Sequence, residues 1–356
     1  MKPTQQLHDL GQSLWVDNIT RTMLDDGTLA SYISDYSVTG LTSNPTIFDK
    51  AIGGGSAYDD QVAELSEQGL EGEELFFELA LTDLRRAAGL FKEVHDRTTI
   101  DGRVSLEVSP KLADDAQATI KQAAELYGRA EENFFIKIPG TEAGRTAIEE
   151  TIFAGIPVNV TLLFDRDQYL GAADAYMRGL ERRVDAGLNP DVASVASVFV
   201  SRWDAAVTET VPDELRDQLG LAIGRRTYAA YRELLDSDRA MRLRNEGAKA
   251  QRLLWASTGT KDPDASDVLY IEGLAAPFTV NTMPEKTLKA FADHGDAGET
   301  LPIDGGDAEE VLKALNDAGI DTDALATKLQ DDGADAFVKS WDELLGTIAA
   351  QTPSAA

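Results

Sequence analysis

The sequence predicts an α/β fold, namely a (β/α)8 TIM barrel with additional N- and C-terminal helices. Strand-like apolar runs alternate with helical stretches about eight times along the 356 residues, and the connections are long enough for right-handed crossovers between parallel strands. Eight such units close into a barrel. No Pro-, Gly- or Ser-rich linker divides the chain, so we expect one domain over residues 1–356, with a C-terminal helical extension at about 301–350.

The predicted strands are short runs of apolar and β-branched residues bounded by turn residues. The run 134–138, for example, is stopped by Pro139 and Gly140. The segment 268–272 is compatible with either a short helix or an extended strand. The eight predicted strands are residues 14–19, 38–45, 103–108, 134–138, 157–163, 195–200, 252–257 and 278–281.

Helices are predicted from apolar residues at helical spacing and from capping residues. Asp165 followed by Gln168 has capping-box spacing and opens a long helix, while Pro284 suits the first turn of another. The glycine triplet 53–55 precedes no Gly-Lys-Ser motif, so we interpret it as a flexible connection. Helices are expected at 4–11, 21–33, up to about 95, 112–131, 144–153, from 165, within 204–249, and two or three times in the acidic tail to about 350.

Composition excludes several classes of function. The chain has 62 acidic and 33 basic residues, a net charge of −29, and such a surface repels nucleic acid and anionic membranes. It has no cysteine for disulfides or thiolate sites, and His8, His95 and His294 lack metal-ligand spacing, so no metal is expected. With no apolar signal core and no run of membrane-spanning length, we expect a cytoplasmic protein.

One lysine interrupts the predicted strand 134–138. Strand side chains alternate between faces, so Phe135 and Lys137 point to the same side. An ammonium inside a strand must find a partner or lose its proton, and an amine in an apolar site has a lowered pKa that makes it a nucleophile toward carbonyl groups. The alternative is an ordinary surface lysine on a half-exposed strand.

The same alternation gives the other predicted strands an inward face that carries polar groups. On residues 157–163, for instance, Val158, Val160 and Leu162 are expected on the opposite, helix-facing side. Any one polar residue could be an ordinary surface or strand-end residue, but their shared parity favours a site at the carboxyl ends of the strands, where barrel enzymes hold their catalytic groups. The residues on this face are Asp17, Thr42, Asn44, Ser105, Glu107, Asn159, Thr161, Ser197 and Phe199.

Together these residue types suit Schiff-base chemistry on a ketone. Attack by Lys137 gives a carbinolamine whose hydroxyl must be protonated to leave, and Glu107 is the candidate acid, acting directly or through a water. Asp17 is the candidate base for breaking the next carbon–carbon bond. Asn44 and Asn159 are candidates for binding substrate hydroxyls, and Thr161 or Ser197 for orienting the acid or its water.

Two cations follow the predicted strands at the same rim. Arg202 lies just beyond the sixth strand and Lys261 beyond the seventh. In so acidic a protein, two basic groups beside a barrel mouth indicate a phosphate clamp. The alternative is that each forms a common surface ion pair.

At these residues the sequence resembles the transaldolase family, in its longer bacterial subgroup. Residues 40–48, Gly-Leu-Thr-Ser-Asn-Pro-Thr-Ile-Phe, resemble the first family signature, and residues 136–144, Ile-Lys-Ile-Pro-Gly-Thr-Glu-Ala-Gly, resemble the signature of the active lysine. Residues 104–108, 158–164 and 197–202 resemble further family segments, so the similarity covers all eight strands.

The resemblance implies a cofactor-free transferase of the non-oxidative pentose phosphate pathway. It would move a dihydroxyacetone unit from sedoheptulose 7-phosphate or fructose 6-phosphate to glyceraldehyde 3-phosphate or erythrose 4-phosphate, as a monomer or a homodimer. Lys137 on the fourth strand would form the Schiff base, with Glu107, Asp17 and Thr161 in catalysis. The residues implied for substrate binding are Thr42, Asn44, Asn159, Ser197, Phe199 and Arg202.

The sequence departs from the family pattern after the seventh strand. Many transaldolases have a second phosphate-binding arginine there, and this chain has Lys261 as its substitute. Some members of the subgroup are fused to a sugar-phosphate isomerase, and no such domain is expected in this chain. The alternatives are a fructose 6-phosphate aldolase, which tends to have a tyrosine at the position of Phe199, and a non-catalytic barrel.

Overall fold

Eight parallel strands form a closed barrel in chain order, with the last strand returning to the first. The computed structural model describes residues 1–352, and it confirms the predicted fold class. The last strand begins two residues later than predicted because Phe278 has a φ of 61°, which strand residues do not adopt. The strands are β1 Ser13–Asp17, β2 Val38–Thr42, β3 Arg103–Glu107, β4 Phe134–Pro139, β5 Val158–Leu163, β6 Ser194–Phe199, β7 Arg252–Ala256 and β8 Val280–Met283.

Helices connect the strands and follow the last one. Short 3-10 turns stand at Pro110–Leu112 and Asp213–Leu215. The α-helices are α1 Pro3–Asp9, α2 Arg21–Asp25, α3 Thr28–Tyr36, α4 Pro45–Gly53, α5 Asp59–Glu67, α6 Gly72–Thr98, α7 Ala116–Tyr127, α8 Glu142–Phe153, α9 Arg166–Asp185, α10 Ser201–Val207, α11 Leu219–Leu235, α12 Asp238–Asn245, α13 Leu269–Gly273, α14 Glu285–His294, α15 Ala308–Asp317 and α16 Thr322–Gln351.

Some helices and strands differ from the predicted ones, and the backbone conformation or a capping residue explains the difference. The predicted helix 21–33 is two helices, because Gly27 between them has a φ of 80°. The predicted strand 38–45 ends at Thr42, and Pro45 instead starts α4, where the Asn44 side chain accepts a hydrogen bond from the Ile47 N–H. The segment 268–272 falls largely in a helix, α13.

The barrel strands separate two apolar clusters. Side chains that face the surrounding helices, such as Val104 and Ile136, belong to one cluster, and inward side chains such as Trp15 and Phe135 belong to the other. The prediction for Leu162 was wrong. The pairing of β5 with β6 shifts register just before Leu163, so Leu162, with a φ of 58°, joins the inward cluster.

The helix α16 lies across the carboxyl end of the barrel. Its Gln330 side chain donates to the Leu162 carbonyl over 2.8 Å, and Thr347 donates to Asp49 of α4 over 2.6 Å. Trp341 donates to Glu73 of α6 over 2.8 Å. These contacts connect the C-terminal helix to the face where the predicted site lies. The assignment of the whole chain to one domain stays a prediction.

Within residues 1–352, no helix combines the length and the apolar character that spanning a bilayer requires.

Candidate active site

A cavity of about 320 Å³ opens at the carboxyl ends of the strands, beneath α16. It brings together residues from seven of the eight strands or their following loops with residues from α4 and α16. Of the residues predicted for the site, those that line it are Asp17, Thr42, Asn44, Lys137, Thr161, Ser197, Phe199, Arg202 and Lys261. Glu107 and Asn159 lie buried just behind the wall and are bonded to residues that line it.

Lys137 is held in a buried ion pair. Its register partner in the pairing of β4 with β3 is Glu107, and the ammonium Nζ donates to Glu107 Oε2 and to the Ser43 carbonyl, each over 3.0 Å. Both ionic side chains are 6% exposed. The strand alternation that buries the amine also places this carboxylate beside it, in agreement with the inward parity predicted for both residues. Nothing in a one-letter sequence marks the Ser43 carbonyl.

Two carboxyl groups flank the amine, and burial raises the pKa of both. For Glu107, the charge and hydrogen bond of Lys137 oppose the effect of burial on the pKa, and the charge of Asp17 adds to it. For Asp17, the Lys137 charge and the hydrogen bond from Thr42 oppose it. A raised pKa favours the protonated form of each carboxyl group, which suits a role in acid–base catalysis.

Asp17 is held by a hydroxyl group of the neighbouring strand β2. Thr42 Oγ1 donates to Asp17 Oδ1 over 2.6 Å and lies 2.7 Å from Thr282 Oγ1. Thr282 lies on β8 and lines the cavity. It was missed because the predicted eighth strand stopped at Asn281.

Beneath the cavity, a chain of hydrogen bonds crosses three strands. Ser197 Oγ donates to Asn159 Oδ1 over 2.7 Å, and Asn159 Nδ2 donates to Ser105 Oγ over 3.1 Å. Thr161 is different: its hydroxyl is buried and has no hydrogen-bond partner within the described part of the chain. Because buried hydroxyls are normally paired, this one is available to a water or a substrate.

Asn44 has its carbonyl oxygen committed to capping α4, where it accepts from the Ile47 N–H over 3.0 Å. The side-chain amide remains as a donor at the cavity wall. Alternation along β2 was the wrong reason for placing Asn44 in the site, because β2 ends before it. Asn44 is held at the cavity wall because its side chain caps α4.

Three cations lie around the rim of the cavity: Arg202, Lys261 and Lys50. Among residues 1–352, none of them forms an ion pair with a carboxylate, unlike most cations of this acidic chain. Burial lowers the pKa of Arg202. Burial also lowers the pKa of Lys261, and the charges of Arg202 and Lys50 add to that effect. Such a group of unpaired cations favours an anion. Lys50 was missed because α4 was not predicted.

A second cavity, of about 310 Å³, lies at the opposite end of the barrel. Its basic residues have partners: Arg252 pairs with Asp101 over 2.8 Å, Lys249 pairs with an aspartate, Arg244 donates to the Leu235 carbonyl, and one nitrogen of Arg232 donates to the Tyr228 hydroxyl over 3.1 Å. Its Lys249 is partly exposed, whereas Lys137 of the first cavity is buried beside Glu107. The cavity at the carboxyl ends of the strands is therefore the candidate active site. Among the described residues, no group of three or more His, Asp or Glu side chains is placed to hold a metal.

The fold and the site together define a barrel enzyme with a buried lysine–glutamate pair at its catalytic face. A family model described as transaldolase/fructose-6-phosphate aldolase matches residues 14–348, and the chain belongs to this family. A transaldolase of Saccharopolyspora erythraea is 44% identical, with 99% of this chain and 98% of the relative covered. A transaldolase of Thermobifida fusca is 43% identical, with 98% of each covered. A transaldolase of Mycobacterium tuberculosis is 44% identical, with 97% and 96% covered.

Proposed function

We propose that this chain is a transaldolase that transfers a dihydroxyacetone unit from a ketose phosphate to an aldose phosphate through a Schiff base on Lys137. The observation that carries the proposal is the Lys137 amine, buried at the cavity wall between the Glu107 carboxylate and the Ser43 carbonyl. The names of the full-length relatives support the same activity. The proposed setting is the non-oxidative pentose phosphate pathway in the cytoplasm, with the chain acting as a monomer or a homodimer.

The first step forms the Schiff base. Glu107, whose pKa is raised by burial, takes a proton from the Lys137 ammonium and leaves a neutral amine. The amine nitrogen attacks the ketone carbon of the donor sugar. The same carboxyl group, directly or through a water held by the Thr161 hydroxyl, then gives a proton to the carbinolamine oxygen, which leaves as water. The product is an iminium ion.

The second step breaks and remakes a carbon–carbon bond. Asp17 accepts the proton of the hydroxyl on the carbon next to the breaking bond, the bond electrons move into the iminium, and an aldose phosphate departs. An enamine of three carbons remains on Lys137. It attacks the aldehyde of the acceptor, and Asp17 returns the proton to the new hydroxyl oxygen. The Thr42 hydrogen bond holds Asp17 in place for both transfers.

The remaining residues account for recognition of the substrate. The side-chain amide of Asn44 and the Ser197 hydroxyl suit the hydroxyls of the three-carbon unit, and Asn159, buried behind the wall, accepts a hydrogen bond from Ser197 and so positions it. Arg202 and Lys261 suit the phosphate of the donor or acceptor, as predicted from the sequence. Lys50 on the same rim adds a third positive charge toward that phosphate.

The rival activity within the family is that of a fructose 6-phosphate aldolase, which would release dihydroxyacetone instead of transferring it. Phe199 lines the cavity and is 7% exposed. A phenyl ring has no proton to give to the enamine, whereas a tyrosine has one. This observation favours the transferase.

The proposal is tested by trapping the intermediate. The protein is incubated with fructose 6-phosphate, reduced with borohydride, digested and analysed by mass spectrometry. We expect a three-carbon adduct on the peptide that contains Lys137, and no adduct in Lys137→Ala. Absence of the adduct in the unaltered protein would refute both activities. Release of free dihydroxyacetone at the same rate with and without erythrose 4-phosphate would instead assign the aldolase.

A further inference from the structure

The aromatic side chain of Phe337, on α16, forms one wall of the catalytic cavity. Its ring centre lies 5.8 Å from the Lys137 ammonium and 6.4 Å from the ring centre of Phe199. The Arg202 guanidinium stands near both rings, 5.2 Å from Phe199 and 6.0 Å from Phe337. Phe337 is itself 7% exposed. Phe337 of α16 therefore lies beside the Lys137 ammonium.

The backbone of α16 comes unusually close to the site one turn before Phe337. At Gly333, an added Cβ would lie 3.1 Å from Leu162 Cδ2 and 3.3 Å from Arg202 Nη1. Glycine inside a helix costs about 1 kcal/mol relative to alanine, so its presence there fits a need for close approach. The helix is anchored on both sides of Phe337, by the hydrogen bonds of Gln330 and Trp341.

The surroundings of the amine are divided into a polar and an apolar side. On the polar side are Glu107 and the Ser43 carbonyl. On the apolar side, Phe199 and Phe337 belong to one buried cluster with Leu162. None of these three apolar side chains has a proton that exchanges with water, and none offers a water molecule a hydrogen bond.

We propose that Phe337 determines the fate of the three-carbon enamine on Lys137, by keeping proton donors away from its nucleophilic carbon. This inference rests on the proposed function. When the carbon attacks an acceptor aldehyde, a new carbon–carbon bond forms and the aldehyde oxygen takes the proton. When a water reaches the carbon first, the carbon takes a proton from it, the iminium re-forms, and hydrolysis then releases dihydroxyacetone and the free amine. Transfer and release thus compete for one carbon, and exclusion of water selects transfer.

The experiment measures the ratio of dihydroxyacetone release to transfer, with fructose 6-phosphate as donor and erythrose 4-phosphate as acceptor. We expect this ratio to rise by about tenfold in Phe337→Ala, which corresponds to about 1.4 kcal/mol, because water can then approach the enamine carbon from the side of the lost ring. Phe337→Tyr, which adds a hydroxyl proton without opening the wall, is also expected to raise the ratio, while Phe337→Leu is expected to leave it near that of the unaltered protein. In D2O, the released dihydroxyacetone should carry one carbon-bound deuterium, which identifies protonation of the enamine as the source.

A matched control separates shielding from loosening of the helix. Trp341→Phe removes the hydrogen bond to Glu73 but leaves the cavity wall unchanged, so its ratio should equal that of the unaltered protein. An equal rise in Trp341→Phe would overturn the specific role of Phe337. If Phe337→Ala does not fold, equal ratios in the Tyr and Leu variants would also overturn it. An unaltered protein without transfer activity would refute the proposed function itself, which is a separate outcome.

Discussion

Glu107 and Lys137 are register partners on adjacent parallel strands, and their charged groups meet over 3.0 Å with both side chains almost fully buried. Burying a charge is unfavourable, and a buried pair is stabilised only while both members are present. The stability of the fold therefore depends on the same two residues as the proposed chemistry.

The first prediction concerns the stability of this pair. Lys137→Met or Glu107→Gln alone should lower the free energy of unfolding, by up to about 3 to 5 kcal/mol, because one buried group loses its partner. The double variant should be more stable than either single variant, since no unpaired charge remains. Chemical denaturation of the four proteins measures this. A double variant as unstable as the two losses added together would contradict it.

The second prediction concerns Lys50. Lys50→Gln should raise the KM for fructose 6-phosphate by about threefold to tenfold, since one charge is lost from a group of three cations that lack carboxylate partners. The effect should shrink as salt is added. Lys121→Gln on α7 is the matched control, because Lys121 is exposed and remote from the cavity. The same rise in both variants would mean that only the net charge of the protein matters.

The third prediction concerns Gly333. Gly333→Ala should not lower the melting temperature much, because a gain in helix propensity of about 1 kcal/mol offsets the crowding. It should raise the KM for the phosphorylated donor severalfold, since Arg202 must move away from the new methyl group. Gly346→Ala, in the same helix with open space around it, should gain stability without a change in KM. Equal kinetics in the two variants would exclude the close contact as a functional feature.

The fourth prediction concerns pH and lies outside the cavity. Asp204 of α10 accepts hydrogen bonds from the Leu219 and Gly220 N–H groups, each over 3.0 Å, and from the Tyr270 hydroxyl over 2.7 Å. Burial raises its pKa from 3.8 to about 6. Because the folded-state pKa is the higher one, the stability linked to this carboxyl group is fully present below its unfolded-state pKa and is lost as the pH rises through about 6.

This change in stability amounts to about 3 kcal/mol for a buried group with such a displaced pKa. The free energy of unfolding should therefore fall between about pH 4 and pH 7 in the unaltered protein, and fall less in Asp204→Asn. Denaturant titrations at a series of pH values compare the two. Identical pH profiles would show that Asp204 does not contribute in this way.

Strand alternation was sufficient to predict much of the site. It placed Lys137, Glu107 and Asn159 on the inward face, and the structure has them there. Alternation failed at Leu162, where a register shift adds a residue to the inward side. Asn44 was assigned to β2 because Pro45 was interpreted as the end of the strand. In the structure β2 ends at Thr42, and Pro45 is the first residue of α4.

The part of the site that could not be predicted comes from long-range packing. No motif around Phe337 indicates a role at the site. Only the folded structure places its ring near Lys137, which lies 200 positions earlier in the chain. The contact with the Ser43 carbonyl could not be predicted either, since every residue has a backbone carbonyl. Lys50 could not be assigned to the rim from the sequence, because its position depends on how α4 packs beside the cavity.

The position of α16 at the end of the barrel sequence has a consequence for synthesis of the protein. About 200 residues separate Lys137 from Phe337, and at 5 to 20 residues per second the ribosome needs roughly 10 to 40 s to add them. During that interval the nascent chain already carries Lys137 but not the aromatic wall beside it. The proposed site is thus completed by a residue that is made long after the strand of its lysine.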